Sequence, residues 1–301
     1  MVTGRLLFSP KLDIVFKKLF TENVDSLRVF LSDMLGIPLP SIKRLEFTDT
    51  EVKPATLHEK LSRVDLCLYL NDKIVDVEIQ VRNNHDTEQR TLFYWARLYC
   101  SEIKKGNHYN ALRPAVTLNL LDYTLFPDRE GYSAMVIPTF ADTKQEFSRY
   151  QEMHFIELSK VKFPVDKTET NAKIERKVQW LLFLNAKTEE DLIMLHDLND
   201  PDVCRIIDAY NAMCEDAEFS RKALNREMAV YDYNSGMAYA REEGERIGEE
   251  RGEKRGEERG IAISLQALMQ NFGCDRETAS DLLGLNGDIR QKVFALLDNN
   301  Q

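Results

Sequence analysis

Cysteine is scarce and scattered in this 301-residue sequence: five residues, at positions 67, 100, 204, 214 and 274, with no CxxC and no Cys/His pair at metal-ligand spacing. An odd, dispersed set argues against a disulfide framework or a zinc–thiolate site and leaves reduced structural thiols. Long apolar runs are missing as well. No window approaches the roughly 18 uninterrupted apolar residues of a membrane span, and MVTGRLLFSPKLD at the start lacks a signal peptide's long apolar region and small-residue cleavage site. The expectation is a cytoplasmic protein with no membrane association. Nor is positive charge in excess: 40 Lys and Arg against 50 Asp and Glu give a formal charge of −10. Polyanion binding draws its free energy from clustered Lys and Arg, so any nucleic-acid contact must use a local basic surface.

What is present suits a globular protein: 43% of residues are hydrophobic and 30% charged. The length exceeds one average domain, and the patterning divides it. Ser9 and Pro10 read as the N-cap and first position of a helix over about 10–21, with Leu12, Phe16, Leu19 and Phe20 at helical spacing. A second helix spans Val24 to Leu35 and stops at Gly36, ahead of Pro38 and Pro40. Residues 63–81, RVDLCLYLNDKIVDVEIQV, alternate around Asn71-Asp72 and predict a β-hairpin. A helix over 86–105 carries Leu92, Trp95, Ala96, Tyr99 and Ile103 on its apolar face, and strands follow at 114–121, 133–137 and 154–158. The fold class is therefore α/β, with a mixed sheet flanked by helices over 1–165. Helical sequence fills 166–240, a Gly/Glu/Arg tract 241–260, and a small helical segment 261–301.

The hairpin holds the chemistry. Alternation puts Asp65, Cys67 and Tyr69 on one face of its first strand, and Ile74, Asp76, Glu78 and Gln80 on one face of the second. With a two-residue loop, paired residue numbers sum to 143, which sets Asp65 across from Glu78 and Arg63 across from Gln80. Opposed side chains have β-carbons about 5 Å apart, and like charges there repel. A divalent cation with a taste for hard oxygen ligands, Mg2+ or Mn2+, relieves that repulsion.

Several runs then carry a family likeness. Phe8-Ser-Pro-Lys-Leu-Asp13-Ile-Val-Phe16-Lys17-Lys-Leu-Phe20, Arg63-Val-Asp65, Val77-Glu78-Ile-Gln80, Arg90-Thr-Leu-Phe-Tyr94-Trp-Ala-Arg97-Leu-Tyr99 and Lys105-Gly106-Asn-His-Tyr109 appear in the order found in PD-(D/E)XK nuclease family transposases, also called recombination-promoting nucleases. The sequence resembles that family over residues 5–160. The resemblance implies a restriction-endonuclease-like fold and Mg2+-dependent cleavage of DNA in recombination or mobile-element processing. It also implies that Asp65 and Glu78 bind the metal, aided by the Ile79 carbonyl. Gln80 stands where the wider superfamily has lysine, and Asp13 matches an acid on the first core helix. An amide orients water or a phosphate oxygen without supplying positive charge.

Beside these acids, Arg90, Tyr94 and Arg97 lie on one stripe of the helix after the hairpin, and with Arg63 and Lys17 they form the expected DNA contact. Two alternatives stay open: a catalytically silent, oligomeric DNA-binding or interaction module, and RNA as the substrate. The tract at 241–260 is either a solvated helix or linker, or a glycine face for helix pairing in a homo-oligomer such as a dimer. The segment after it reads as a packing element or a small helix-turn-helix with few basic residues.

Overall fold

The turn at Asn71-Asp72 sets the sheet. Asn71 takes the left-handed conformation (φ 57°) that asparagine tolerates. Its Oδ1 accepts the backbone N–H groups of Lys43 and Arg44 at 2.8 and 3.2 Å, which ties the turn to the preceding chain. From it run β4 (Leu66–Leu70) and β5 (Lys73–Gln80), paired antiparallel with Leu66 opposite Val77 and Cys67 opposite Asp76. The register sum of 143 is the expected one. This computed structural model describes residues 4, 6–48, 51–52, 62–63, 65–103, 108–163 and 174–298.

A six-stranded mixed sheet grows on both sides of the hairpin. Beyond β4 lies β1 (Leu45–Phe47), a three-residue edge strand with no counterpart among the sequence expectations. Beyond β5 come β6 (Ala115–Leu121), β8 (Gln151–Glu157) and β7 (Ser133–Val136), in that spatial order. The β5–β6 and β6–β8 pairs are parallel, which requires crossovers. Both faces of β6 are buried along its whole length, as a central parallel strand demands. β8 begins three residues earlier than its apolar pattern because Gln151 through Glu157 all pair along β6.

The ladder does not extend to Arg63. β2 (Glu51–Val52) and β3 (Ser62–Arg63) form a separate two-stranded sheet in which Arg63 pairs with Glu51. The chain bends at Asp65 before β4 starts, so Arg63 is not across from Gln80, and its side chain lies outside the described residues.

One crossover between β5 and β6 contains α3 (Thr87–Ser101), which packs on the face holding Cys67, Ile74 and Ala115 through Leu98, Tyr94, Trp95 and Tyr99. The opposite face, with Leu66, Leu68, Leu70, Val75, Val77, Val116, Leu118 and Leu120, is fully buried. The remaining helices of this half pack with one another: α1 (Asp13–Glu22), α2 (Val24–Leu35), α4 (Arg176–Asn185), α5 (Glu189–Asp197) and α6 (Pro201–Glu215). Phe16, Phe20, Phe30 and Trp180 meet at centroid distances of 4.8–6.3 Å. Arg176 forks onto Asp33 at 2.7 and 3.0 Å, and the Trp180 indole N–H donates to the same carboxylate at 3.0 Å.

α1 starts later than expected. Ser9 to Leu12 form a turn, with the Leu12 N–H donating to the Ser9 carbonyl, and helical geometry begins at Asp13. An acid in this first turn suits the positive end of the helix dipole.

The chain divides into a unit from Met1 to Met228 and a unit from Ala229 to Gln301. α7 (Ala217–Phe272) contributes its first turns to the former and the rest to the latter. The glycine tract is helical, supported by pairs such as Arg241–Glu245 at 2.8 Å and Arg246–Glu243 at 2.7 Å. Within the second unit, α8 (Arg276–Leu282) and α9 (Gly287–Asp298) pack on the end of α7 around Ala262, Leu265, Ala279 and Val293. Gly273, Gly284 and Gly287 make the turns with positive φ. No helix is long and apolar enough to cross a membrane among the described residues.

Candidate active site

Glu78 and Asp65 meet where β4 begins. The Glu78 Oε1 accepts the Asp65 backbone N–H at 3.2 Å, and the Asp65 Oδ2 accepts the Ile79 N–H at 2.9 Å. Each carboxylate thus caps the other segment's backbone, closing the hairpin one step past its last ladder pair. Glu78 is 2% exposed and Asp76, two residues back on the same face, 1%.

Electrostatics follow from that burial. The Asp65 carboxyl is pushed up to about 6, first by burial and then by the Asp13 charge, while the Ile79 N–H, Arg90 and Lys17 work against the rise. Glu78 is pushed well above the usual range by burial and by the neighbouring Asp76 and Asp65 charges. Asp76 moves the same way, through burial and Asp65. Among the described residues, neither oxygen of Asp76 has a hydrogen-bond partner. Sequence reading placed Asp76 on this face and gave it no role; its signal was the Asp-x-Glu spacing on one strand side.

The wall opposite the acids is α3, and its orientation differs from the expected one. Leu92, assigned to the apolar face, is 50% exposed, while Thr87 and Thr91 are buried. The reason lies in the strand face beneath. Asp76, Glu78, Thr117 and Asn119 are polar, and a helix covering them must offer polar groups: Thr91 Oγ1 donates to Asn119 Oδ1 at 3.1 Å. This rotation turns Arg90 inward, with its guanidinium 3.5 Å from Glu78 and 5.1 Å from the centre of the Tyr94 ring. Burial raises the Tyr94 phenol, and the charges acting on it are Arg90, Glu78 and Asp76.

The other expected residues divide. Gln80 is 8% exposed and belongs to the same strand face as Glu78; its Oε1 accepts the Tyr123 hydroxyl at 2.9 Å. Lys17 is close enough to act on Asp65. Asp13 is held by Arg226, whose Nε lies 3.1 and 3.0 Å from its two oxygens, 213 residues away in the chain. Arg226 also feels Asp65. Arg97 sits 5.9 Å from the centre of the Phe93 ring, further along α3. Among the described residues, no group of three His, Cys, Asp or Glu side chains is gathered as a ready ligand set.

A family model described as PD-(D/E)XK nuclease family transposase matches residues 10–240. Searches of curated proteins and of solved structures gave no match. The matched span covers the sheet, α3 and the helices through Arg226, and the fold is that of restriction-endonuclease-like proteins. This chain belongs to the PD-(D/E)XK nuclease family transposases.

Proposed function

We propose that the protein is a divalent-cation-dependent endonuclease that hydrolyses phosphodiester bonds in DNA, with Asp65 and Glu78 as the cation-holding acids. The observation that carries this reading is the reciprocally bonded Asp65–Glu78 pair, Glu78 buried and Asp65 partly so, with Asp76 unpartnered among the described residues behind it. Three carboxyls with raised proton affinity, opposed by Arg90 and, at Asp65, by Lys17, leave negative charge for a cation to offset once they ionise. Buried carboxylates without partners are costly, and an all-oxygen donor set suits Mg2+ or Mn2+. The residues present therefore fit such an ion. Asp65 and Glu78 would hold it, with the Ile79 carbonyl, which leaves the strand on the same side as the Ile79 N–H bonded to Asp65. When bound, the cation would polarise the phosphate and make water a stronger nucleophile.

The chain's own groups complete the site. Gln80 orients water or a phosphate oxygen. Arg90, turned inward against Glu78, holds a phosphate through its planar fork, and Tyr94 lines its flank. Lys17 and Arg97 extend the basic surface along the DNA backbone, offsetting locally a chain whose net charge is −10. Asp13, fixed by Arg226, tunes Asp65 electrostatically. A role in mobile-element or recombination biology is supported by the family's description as transposases.

A second reading, a module that binds DNA without cutting it, draws on the fact that Asp65 and Glu78 each commit an oxygen to backbone N–H groups. The two separate on supercoiled plasmid, with single-stranded RNA as a parallel substrate, in Mg2+ or Mn2+. The wild type is expected to nick the plasmid, with Asp65→Ala and Glu78→Ala slower by about a hundredfold or more. Equal nicking by all three would remove the site from the reaction, no nicking would favour the binding module, and a preference for RNA would reassign the substrate.

A further inference from the structure

Gln80 raises a physical question that the paired acids do not answer. A neutral amide has two chemically different ends, and a site that needs a donor is served by only one of them. Among the described residues the Gln80 Nε2 has no hydrogen-bond partner, although the side chain is 92% removed from solvent in the sense that only 8% of its surface is exposed. Its other end is held. Tyr123 donates its hydroxyl to Gln80 Oε1 at 2.9 Å, and the same hydroxyl oxygen lies 2.6 Å from Thr87 Oγ1.

The direction of that chain follows from counting protons. A tyrosine hydroxyl has a single proton, and once it is given to Gln80 the oxygen can only accept, so the Thr87 hydroxyl must be the donor between them. Thr87 and Tyr123 come from different segments, the first turn of α3 and the loop after β6, so the arrangement closes only in the folded site. With Oε1 occupied, Nε2 is left as a buried donor on the strand face it shares with Glu78 and Asp76. The reversed amide would set an unpartnered carbonyl oxygen on that carboxylate face, which is electrostatically worse.

We infer that Thr87 and Tyr123 are positioning residues that lock the Gln80 amide with its N–H groups facing the acids, so that glutamine donates to a phosphate or water oxygen there. The inference rests on the nuclease reading above for what Nε2 meets, and on geometry alone for how the amide is held. Neither Thr87 nor Tyr123 touches the reacting atoms.

The test pairs kinetics with an observation that needs no activity. In plasmid nicking with Mn2+, Tyr123→Phe is expected to lower kcat about tenfold, the equilibrium worth of one ordinary hydrogen bond, with KM changed less than about twofold because the binding surface is untouched. Thr87→Val should fall in the same direction by less. In a Gln80→Lys background, where no carbonyl end needs holding, adding Tyr123→Phe should change nothing. An equal loss in both backgrounds would mean that Tyr123 merely supports the fold, and no loss in either would overturn the inference. Independently, the Gln80 side-chain amide should give one sharp pair of NMR signals in the wild type and a broadened or doubled pair in Tyr123→Phe. Unchanged signals would overturn the lock even if the wild type failed to nick DNA, an outcome that would sink the nuclease reading by itself.

Discussion

Replacing Asp65 with asparagine should stabilise the cation-free protein at neutral and alkaline pH. Burial carries the Asp65 carboxyl from its ordinary 3.8 to about 6. Between those values the folded state holds a proton that the unfolded state has released, so stability falls as pH rises through that window and stays low above it. The full difference is about 3 kcal/mol, at 1.36 kcal/mol for each tenfold change in proton affinity. Asparagine cannot ionise, yet its carbonyl oxygen can still accept the Ile79 N–H that Asp65 now accepts. Thermal melts of wild type and Asp65→Asn in a chelator should therefore nearly coincide at pH 4. By pH 8 they should separate, with the variant higher by about 5–10 °C for a domain of this size. The raised Glu78 and Asp76 carboxyls act in the same direction and deepen the wild type's loss of stability as pH rises. A variant that melts below the wild type at pH 8, or one displaced equally at both pH values, would refute the argument, since either result points to packing rather than charge.

Two further outcomes follow from the wall over the acids. Arg90 opposes the rise in Glu78, so Arg90→Ala should move the acid limb of the nicking pH profile upward, and Arg90→Lys should restore part of it. On the same helix, Leu98→Ala should cost about 2–5 kcal/mol in denaturant unfolding. Leu92→Ser should stay within about 0.5, because Leu98 is 2% exposed and Leu92 50%.

How much of this was legible in the sequence varies with the physics behind each element. The Asp65–Glu78 pairing was readable because a two-residue turn fixes a register, and the alternation on both strands agreed with it. The position of Arg63 was not, because the same arithmetic assumes an unbroken ladder and the chain bends at Asp65. The face of α3 was misjudged for a related reason. Apolar spacing locates a helix's buried side only when it covers an apolar surface, and this one covers Asp76, Glu78, Thr117 and Asn119, so buried threonines replace the expected Leu92. Asp76 was visible on its strand face, but spacing alone cannot separate a solvated acid from one buried without a partner. The Arg226–Asp13 contact joins segments 213 residues apart, and nothing local announces it. The hairpin turn at Asn71-Asp72 and the stop of α2 at Gly36, by contrast, are short-range backbone effects and were readable residue by residue.

Manganese titration by calorimetry at pH 6, in two buffers of different ionisation enthalpy, tests the paired acids most directly. If Asp65 and Glu78 jointly hold the cation, binding must expel the proton that Asp65, raised to about 6, still partly holds at this pH, so the measured heat will depend on the buffer and Glu78→Gln will abolish the binding. Wild-type binding without proton release, or binding that survives in Glu78→Gln, would contradict the account.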